Sequence, residues 1–455
     1  MKNDNNSMTI MRDMIVTVDG PAGSGKSTTA KVLSRQLDLT YIDTGAMYRA
    51  VTWKVLQSGI DPDDRESVTK IAEKTSLEID ISNSAPILLV DGTPAGDEIR
   101  GPEVSEAVSP VSKHPGVRRE MVRFQRKIGN RGGIIAEGRD TGSTVFPFAH
   151  VKIFLVADME ARTKRRVNQL RQMGITQTED EIRHNLARRD EIDSSREHSP
   201  LVRPVGAFVV DTSGITIEEQ VTVIEEIVRK EAFRLETLCV PRGKRNPVSR
   251  GHTFLFTMCR DMIRFFESFL FGIRIHGSEN LRFAESFFFV SNHISWFDPP
   301  FVGSTFGREL WIVAKKELFK NRLLSWFLRK VNAIPIDRQG FDRSTIKIID
   351  NAFEQGDSVL MFPEGTRSRT GRLKKFKPGI GMIAYRSGKS IIPAYITGTD
   401  ALMDCFLRKR RLEVRIGRAI RIPEDYRPDD RKRDYAILSS MIYEAMKMLE
   451  DETYA

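Results

Sequence analysis

The segment GPAGSGKST at residues 20–28 constrains the fold of this chain more than any other feature. It fits the pattern G-x-x-x-x-G-K-[ST], follows the apolar run MIVTVD and precedes a stretch in which Ala30, Leu33 and Leu37 share one helical face. In this order, a strand, a glycine-rich turn and a helix bind phosphate, because the turn amides and the positive end of the helix converge on an anion. We therefore predict an α/β fold whose first turn holds a nucleotide phosphate.

The loop residues form the first candidate site. Lys26 is predicted to bridge phosphate oxygens as a catalytic residue, and Ser27 to hold a magnesium ion that arrives with ATP. The predicted ATP-binding residues are Gly20, Pro21, Ala22, Gly23, Ser24, Gly25, Lys26, Ser27 and Thr28. A turn that only connects a strand to a helix does not need Lys-Ser at its end, so the binding interpretation is preferred.

The length of the chain indicates two domains, because 455 residues exceed the size at which one hydrophobic core stops growing, about 250–300 residues. Apolar residues make up 40% and charged residues 29%, which is typical of a folded protein. A stretch rich in Pro, Gly and basic residues, without apolar periodicity, separates two halves of similar length. We predict domains at residues 1–235 and 251–455, joined by a linker at 236–250.

Cysteine usage and charge limit the setting and the partners. Cys239, Cys259 and Cys405 are widely spaced and lack a metal-binding pattern, which indicates a reducing compartment. The start of the chain lacks the basic and apolar regions of an export signal, and no apolar run reaches the ~18–20 residues of a membrane span. We expect a cytoplasmic protein whose membrane contact is peripheral.

The net charge of +10 suits nucleic acid, anionic lipid or phosphorylated substrates, and composition does not distinguish among these partners.

The first half alternates strand-like apolar runs with helical patterns. The runs lie at residues 14–19, 39–42, 133–137, 151–156 and 207–211. This alternation is typical of a parallel, doubly wound sheet. Between the second and third runs, LEIDIS and ILLVDG predict a small antiparallel insertion.

Three further motifs of the first half place arginine beside a carboxylate. They are DTGAMYR at residues 43–49, EGRDTG at 137–142 and RRDEIDSSRE at 188–197. Ligands of open α/β sheets bind at such strand ends. Together with the phosphate loop, and in this order, the motifs make residues 14–230 resemble the bacterial cytidylate kinases. The resemblance implies a P-loop kinase domain that phosphorylates CMP or dCMP with ATP and Mg²⁺.

The resemblance also implies a CMP site and a lid. Carried over by position, the CMP-binding residues are Thr44, Arg49, Ser109, Arg118, Arg139, Asp140, Asp193 and Arg196, and Arg189 reaches over the phosphates from the lid. Phosphoryl transfer crowds anionic oxygens, which paired guanidinium groups neutralise. Thr44 stands where the family commonly has Ser, and Glu137 where it has Asp. The base preference is therefore better defined than the choice between CMP and dCMP.

The basic residues near 162–166 and 188–189 have two interpretations. Either they contact phosphates, or they form a solvated helix face, as charge runs usually do. The set comprises Arg162, Lys164, Arg165, Arg166, Arg188 and Arg189. For 162–166 both interpretations stay open, whereas Arg139, beside Asp140 at a strand end, favours a site.

The second half opens with an amphipathic helical pattern over residues 255–273. One arc holds Leu255, Met258, Cys259, Met262, Phe266, Phe269 and Leu270, and the opposite arc holds Arg260, Asp261, Arg264, Glu267 and Ser268. The apolar arc either packs in the core, which is slightly preferred, or lies in a membrane interface. A second candidate for membrane contact is NRLLSWFLRK at residues 321–330, where aromatic residues stand between basic ones.

NHISWFD at residues 292–298 contains the candidate catalytic pair of the second half. On a continuous helix His293 and Asp298 would lie about 140° apart and would not meet. Pro299 and Pro300 favour a turn that leads into a helix at Asp298 and returns the carboxylate to the imidazole. Such a pair is a general-base arrangement, because the acid fixes the tautomer of the histidine. Taken singly, His293 is consistent with a structural histidine and Asp298 with a helix cap.

Three more blocks follow, IPIDR at residues 334–338, FPEGTRS at 362–368 and SIIPAYI at 390–396. With NHISWFD, they make residues 255–425 resemble the glycerolipid acyltransferases, most closely the bacterial 1-acylglycerol-3-phosphate acyltransferases. The resemblance implies an α/β domain in which His293 deprotonates the acceptor hydroxyl with the help of Asp298. It also implies an acyl-CoA or acyl carrier protein thioester as the donor.

The acceptor site follows from the same resemblance. The implied acyl-acceptor-binding residues are Lys315, Arg338, Glu364, Gly365, Thr366 and Arg367. Arginine suits an acceptor phosphate because it binds phosphate in a bidentate manner. Further basic residues face anionic lipid, which is mildly favoured, or only aid solubility; they are Arg369, Arg372, Lys374, Lys375 and Lys377.

The two halves together predict a bifunctional enzyme that makes CDP or dCDP and phosphatidate. Its expected partners are nucleotides, lysophosphatidate and the membrane surface, with acyl carrier protein as one donor and no nucleic acid. The rival hypotheses are an inactive membrane tether on a kinase, an acyltransferase for another lysolipid, and a nucleic-acid-binding P-loop protein. The presence of both His293 and Asp298 argues against a tether, and no RNA- or DNA-binding motif occurs.

Overall fold

The computed structural model describes residues 14–80, 86–129, 132–172, 177–196, 200–238, 254–281, 285–307, 310–337, 341–376, 379–422 and 431–454, with Met11 and Gly174. These residues separate into two compact units, one ending at Glu236 and the other beginning at Thr237. A helix continues through this point to Leu238, and residues 239–250 of the predicted linker lie outside the described residues. Over the described ranges, no helix is both long and apolar enough to cross a bilayer.

The first unit is built on a parallel sheet of five strands in the order β2-β6-β1-β7-β8. The strands of this unit are β1 (Ile15–Asp19), β2 (Thr40–Asp43), β3 (Leu77–Asp80), β4 (Ile87–Val90), β5 (Thr93–Pro94), β6 (Ile134–Gly138), β7 (Val151–Val156) and β8 (Phe208–Asp211). The five apolar runs of the sequence correspond to the five sheet strands within one residue at each end. The remaining strands form an antiparallel sheet in the order β3-β4-β5. Both the parallel sheet and the insertion are confirmed.

Helices connect the strands of the first unit. They are α1 (Lys26–Gln36), α2 (Thr44–Gln57), α3 (Arg65–Lys74), α4 (Pro102–Lys113), α5 (Pro115–Gly129), α6 (Met159–Gln172), α7 (Glu179–Ser195) and α8 (Ile217–Leu238). Short helical turns lie at Asp97–Arg100 and Thr141–Val145. Ala30, Leu33 and Leu37, the predicted apolar face of α1, are buried in one core cluster with the apolar residues of β1 and β7. This packing anchors the start of α1 at the end of β1.

The second unit is built on a mixed sheet of seven strands in the order β12-β11-β13-β10-β14-β15-β9. Its strands are β9 (Arg274–His276), β10 (Phe287–Ser291), β11 (Leu310–Lys315), β12 (Ala333–Ile336), β13 (Ser358–Met361), β14 (Ser390–Thr397) and β15 (Glu413–Ile416). Neighbouring strands are parallel except β14 and β15. β10 is central and all five of its residues are buried, which explains its continuous apolar sequence.

The helices of the second unit are α9 (Phe254–Phe266), α10 (Asp298–Ser304), α11 (Arg322–Lys330), α12 (Arg343–Glu354), α13 (Gly379–Ser387), α14 (Leu402–Phe406) and α15 (Arg431–Tyr454). Shorter helical turns lie at Glu267–Phe271, Ser278–Leu281 and Lys316–Lys320. α10 starts immediately after the NHISWF segment, so the carboxyl end of β10 leads directly into the candidate site.

The apolar arc of α9 is mostly exposed, so the slight preference for core packing is wrong. Its exposed members are Met258, Met262, Phe266 and Phe269, with 43% to 70% of their surface exposed. Phe256 is buried, Ile263 packs against the core, and Glu267 from the polar arc is buried as well. These three residues form a stripe about 100° from the centre of the apolar arc. The helix therefore packs along the boundary between its two faces.

Candidate active sites

The glycine-rich loop joins β1 to α1, which begins at Lys26. Gly20, Gly23 and Gly25 have φ angles of 149°, 79° and 93°, which residues with side chains rarely adopt. A Cβ atom on Gly20 would lie 2.4 Å from the carbonyl oxygen of Leu155 in β7. The loop is thus confined to one shape, at the end of a helix whose first N–H groups lack intrahelical partners. This geometry suits an anionic phosphate.

Lys26 is held inside the loop. Its Nζ donates to the carbonyl oxygen of Pro21 at 2.7 Å, and the residue is 7% exposed. Burial, and then the nearby Arg139, lower the pKa of the Lys26 ammonium below its usual value. A bound phosphate would oppose both effects, because it would place negative charge beside the ammonium.

Glu137 lies opposite the loop, in β6, and it joins two hydroxyl groups. Ser27 Oγ donates to its Oε2 at 2.8 Å, and the Tyr41 hydroxyl donates to its Oε1 at 2.5 Å. Burial raises the pKa of the Glu137 carboxyl, as does the neighbouring Asp43. A hydroxyl and a carboxylate oxygen at this distance fit Mg²⁺, which is usually held by one or two protein oxygens together with phosphates and water. Across the described ranges, no group of three or more His, Cys, Asp or Glu residues could bind a metal without such help.

Buried arginines and carboxylates alternate beside the loop. Arg139 Nε donates to Asp193 Oδ2 at 2.8 Å, and Arg196 pairs with the other oxygen of Asp193. Arg118 pairs with Asp140, and both residues are buried. The two groups are linked, because Ser112 accepts from Arg118 through its carbonyl oxygen and from Arg196 through its hydroxyl, each at 3.3 Å. The structure therefore brings together five of the predicted CMP-binding residues.

The other predicted CMP-site residues have simpler roles. Arg49 Nη2 donates to Asp43 Oδ2 at 3.0 Å, and Arg189 Nη2 donates to the Ser105 carbonyl at 3.1 Å. The Thr44 hydroxyl donates to the main-chain carbonyl of Glu137 at 2.6 Å, so in this structure it joins β6 to α2. Ser109 lies in α4, where its carbonyl oxygen accepts from Ser112.

Sequence reasoning missed several polar residues of this site. Asp43 holds Arg100 at 3.4 Å as well as Arg49, and Tyr41 holds Glu137. The signal for Asp43 was available, because it ends a predicted strand in the DTG motif. Arg100 follows no recognisable motif.

Among the basic residues of α6 and α7, some are buried near the phosphate loop and others form a solvated helix face. Arg162 is buried, donates to the carbonyl of Ala22 in the loop at 3.2 Å and pairs with Asp190. Arg165 Nη1 donates to the Thr212 hydroxyl at 3.0 Å. Lys164 and Arg188 are exposed, as a solvated face would be.

In the second unit, His293 and Asp298 are in direct contact. The His293 Nδ1 and Asp298 Oδ2 atoms lie 2.8 Å apart, and the main-chain N–H groups of Ile294 and Ser295 donate to the same oxygen at 2.6 and 2.7 Å. Asp298 begins α10, so the turn predicted from the two following prolines is confirmed. With Nδ1 donating to the carboxylate, Nε2 is the basic nitrogen of the ring. The arrangement suits a general base.

The other oxygen of Asp298 has a partner far away in the sequence. Thr399 Oγ1 donates to Asp298 Oδ1 at 2.5 Å, and the aspartate is fully buried. Thr399 follows β14, which neighbours β10 in the sheet. Sequence reasoning missed this contact, because 101 residues separate the two positions.

The FPEGTRS segment holds the main chain of the histidine from both sides. His293 N donates to Glu364 Oε1 at 3.2 Å, and Ser368 N donates to the His293 carbonyl at 2.6 Å. Burial raises the pKa of Glu364 to about 7 although the His293 N–H lowers it. Over the described ranges, Glu364 Oε2 is buried without a hydrogen-bond partner. The two motifs therefore form one site.

The cationic residues predicted to bind the acyl acceptor differ in their surroundings. The Arg367 guanidinium lies 4.4 Å from the ring centroid of Trp296, which is a cation–π contact, and Lys374 donates to the Arg367 carbonyl at 2.8 Å. Thr366 and Gly365 adjoin Arg367 in the same turn. Lys315 ends β11 at the same edge of the sheet and is exposed, and Arg338 lies outside the described residues.

The further basic residues after this motif differ among themselves. Arg369, Arg372 and Lys375 are all exposed, and the Arg372 guanidinium lies 3.9 Å from the ring centroid of Tyr454. Lys377 lies outside the described residues. The segment is also tied to α15, because Leu373 N and the Tyr395 hydroxyl both donate to Glu450 Oε1 at 3.0 Å.

The fold and site of the first unit define a P-loop phosphotransferase, with a parallel sheet, a phosphate loop ending in Lys-Ser and paired arginines around it. Residues 16–231 match the family model described as cytidylate kinase. The cytidylate kinase of Enterococcus faecalis is 43% identical over 225 residues, which are 50% of this chain and 100% of the relative. That of Clostridioides difficile is 48% identical over 220 residues, 48% of this chain and 99% of the relative. Through its first half, the chain belongs to the cytidylate kinase family.

The second unit contains an acyltransferase-family domain, since residues 272–397 match the family model described as acyltransferase. Among solved structures, the 1-acyl-sn-glycerophosphate (LPA) acyltransferase PlsC from Thermotoga maritima is 23% identical. The alignment covers 44% of this chain and 80% of that one, with a TM-score of 0.36.

Proposed function

We propose that the chain is a bifunctional enzyme. Its first unit transfers a phosphoryl group from ATP to CMP or dCMP, and its second unit transfers an acyl group from a thioester to 1-acylglycerol 3-phosphate. The observation that supports the second activity best is the imidazole–carboxylate pair of His293 and Asp298 joined to the Glu364 motif.

Phosphoryl transfer depends on positioning and on neutralising charge. Lys26 and the loop amides bind the phosphates of the donor, while Arg139, Arg118 and Arg196 bind and orient the acceptor nucleotide. Each of these arginines already has a carboxylate partner, so it is held in place before substrate arrives. Ser27 and Glu137 would hold Mg²⁺ when it arrives with ATP, and the ion would supply additional positive charge to the phosphate oxygens.

Acyl transfer begins with His293 Nε2, which accepts the proton of the acceptor hydroxyl. The oxygen then attacks the thioester carbonyl carbon, the new C–O bond forms and the C–S bond breaks. The proton held on the imidazole passes to the departing thiolate, so the histidine is restored. Asp298 stabilises the positive imidazolium during this sequence. The donor is an acyl-CoA or an acyl carrier protein thioester.

The acceptor class is inferred from charge. Arg367 presents a guanidinium beside the catalytic histidine motif, and guanidinium binds phosphate in a bidentate manner. An acceptor with a phosphate next to a free hydroxyl, such as lysophosphatidate, matches this pairing.

Lysophosphatidate resides in membranes, so we also propose peripheral association with a bilayer. Two exposed apolar surfaces support it. The first lies on α9 and the following turn, where Phe265 and Phe269 stack 5.5 Å apart, and it adjoins α14 with its exposed Phe406. The second lies on α11, where Leu323 and Trp326 are exposed among basic residues. Aromatic side chains next to cations suit an anionic lipid interface.

Vesicle sedimentation tests the membrane proposal. Phe269→Asp and Trp326→Asp should each reduce binding to phosphatidylglycerol vesicles. The matched control is Phe233→Asp in α8, because Phe233 is 65% exposed but belongs to the kinase unit. Equal binding by all three variants would contradict the proposal.

A substrate panel on the purified chain tests both activities. ATP is offered with CMP, dCMP, UMP and AMP, and acyl thioesters are offered with lysophosphatidate, glycerol 3-phosphate and other lysolipids. We expect Lys26→Ala to abolish only nucleotide phosphorylation and His293→Ala to abolish only acyl transfer. A wild-type protein without any acyl transfer would favour the membrane-tether alternative.

A further inference from the structure

The catalytic aspartate of the second unit is held on both of its oxygens, and the two sets of partners differ. Oδ2 accepts from the imidazole and from two main-chain N–H groups within the NHISWFD segment itself. Oδ1 accepts from the Thr399 hydroxyl, which is supplied by a different part of the chain. The local segment therefore does not complete the site.

Thr399 is fixed in position by its surroundings. It is 3% exposed and follows Gly398, whose φ of 91° favours glycine. A Cβ atom on Gly398 would lie 2.5 Å from the Arg411 carbonyl and 3.0 Å from Cys405 Sγ. The turn that carries the hydroxyl has little room to move.

The preceding strand is also tied to the catalytic motif. Asn292, the residue before the catalytic histidine, donates to the Ile396 carbonyl at 3.0 Å and accepts from the Ile396 N–H at 2.7 Å. These two bonds join the end of β10 to the end of β14, three residues before Thr399. The distance between Thr399 and Asp298 is therefore set by the sheet itself.

We infer that Thr399 is a positioning residue for acyl transfer. Each hydrogen bond that a buried carboxylate accepts satisfies one of its oxygens and also restricts its rotation. The hydroxyl holds Oδ1, so that Oδ2 stays in line with Nδ1 and the imidazole keeps Nε2 directed away from the acid. Thr399 does not touch substrate in this scheme and acts only through Asp298. The inference rests on the proposed acyl transfer.

The experiment compares Thr399→Val, which removes the hydroxyl at nearly constant shape, with Thr399→Ser, which keeps it. The matched control is Thr305→Val, because the Thr305 hydroxyl is also buried near α10 but donates to the Val302 carbonyl at 2.6 Å. We expect Thr399→Val to lower kcat about tenfold or more, the effect of losing one hydrogen bond to a charged group, while KM for acceptor and donor stays within about twofold. Thr399→Ser should recover most of the activity, and Thr305→Val should resemble the wild type.

A second readout needs no substrate. The Nδ1 proton of His293 should give a downfield NMR resonance, because it is hydrogen-bonded to a carboxylate. We expect this resonance to shift in Thr399→Val and to stay in place in Thr305→Val. If the wild type shows no acyl transfer, the proposed function fails, but the resonance still tests the role of Thr399.

Three results would overturn the inference. One is a folded Thr399→Val protein with wild-type kcat and an unchanged resonance. Another is a Thr399→Ser protein as impaired as the valine variant, since the hydroxyl would then be irrelevant. The third is an equal loss of kcat in Thr305→Val, which would indicate a general effect on α10. If the valine variant fails to fold, Thr399→Ala, which also lacks the hydroxyl, takes its place in the same comparison with Thr399→Ser.

Discussion

The two candidate sites hold their charged groups by different means. In the kinase unit, the arginines proposed to bind the acceptor nucleotide are paired with carboxylates, as Arg139 and Arg196 are with Asp193. In the acyltransferase unit, the Asp298 carboxylate is surrounded by the imidazole, two main-chain N–H groups and a hydroxyl. Charged groups of the first site are held by groups of opposite charge, whereas the carboxylate of the second site is held mainly by hydrogen-bond donors.

The difference matches the chemistry that each site is proposed to perform. Arginines that bind a highly charged substrate must stay in place when it is absent, and a carboxylate partner does this. At Asp298, neutral donors satisfy the carboxylate oxygens without adding positive charge beside the histidine. The same substitution, Asp to Asn, should therefore have different consequences at the two sites.

The largest effect is expected for Asp298→Asn. An amide cannot hold the imidazole in the required tautomer, and such a change lowers kcat about 10⁴-fold in a well-studied triad. Acyl transfer is measured with CMP phosphorylation as the internal control, which should not change. Asp400→Asn is the matched variant, because Asp400 forms only a partly exposed pair with Arg410 in the same unit. Comparable losses in both variants would show that the effect is not specific to the site.

The next effect is expected for Asp193→Asn in the kinase unit. Two largely buried guanidinium groups lose their counter-charge, and removing one partner of a buried pair destabilises a protein by about 3–5 kcal/mol. We expect a lower free energy of unfolding together with weaker CMP binding, measured by denaturant titration and calorimetry. Glu66→Gln breaks the exposed pair with Lys70 and should leave the free energy of unfolding nearly unchanged. A stable Asp193→Asn protein with normal CMP affinity would remove the basis of the comparison.

A smaller effect is expected for Trp296→Ala. The variant loses the cation–π contact with Arg367, which is about 0.5–1 kcal/mol at an exposed position, so KM for the acceptor should rise about two- to fivefold. Trp296→Phe retains an aromatic face and should fall between the wild type and the alanine variant. A change in kcat at constant KM would indicate that the ring serves the chemical step instead.

The smallest effect concerns Glu267, which is buried and accepts from the Ser304 hydroxyl at 2.5 Å. Burial raises the pKa of this carboxyl from its usual 4.5 to about 8. The folded state then binds more protons than the unfolded state between these values, so stability is present below pH 4.5 and is lost as the pH rises through 8. Glu267→Gln should raise the Tm at pH 9 by about 2–4 °C, the shift produced by ~1 kcal/mol in a domain of this size, and should change it little at pH 5. Calorimetry at both pH values checks this, and an equal change at each would contradict it.

The sequence predicts the parts of each site that are local. In a strand followed by GPAGSGKS, or a histidine followed five residues later by Asp-Pro-Pro, the backbone dihedral angles of a few neighbouring residues determine the geometry. The five strands of the first unit could also be predicted, because buried parallel strands are continuous apolar runs.

Contacts between distant segments could not be predicted in this way. The pairing of Thr399 with Asp298 depends on β14 lying next to β10, and the sequences of the two strands do not show that they are neighbours. The orientation of α9 was missed for a related reason. The buried stripe includes Glu267, whose carboxyl group accepts a hydrogen bond from Ser304, a residue distant in the sequence.

The main chain of His293 is tied at both its amide and its carbonyl, to Glu364 and to Ser368. The main chain of His293 is therefore held in place, and the imidazole ring can move only by rotation about the side-chain bonds. Side-chain rotation alone moves Nε2 through a small region. In the proposed reaction, Nε2 can take a proton from the acceptor hydroxyl and give it to the departing thiolate only if both groups reach that region. In the proposed acyl transfer, the sulfur of the departing thiol must come within hydrogen-bonding distance of the place where the hydroxyl had been, so the two substrates have to lie side by side at Nε2.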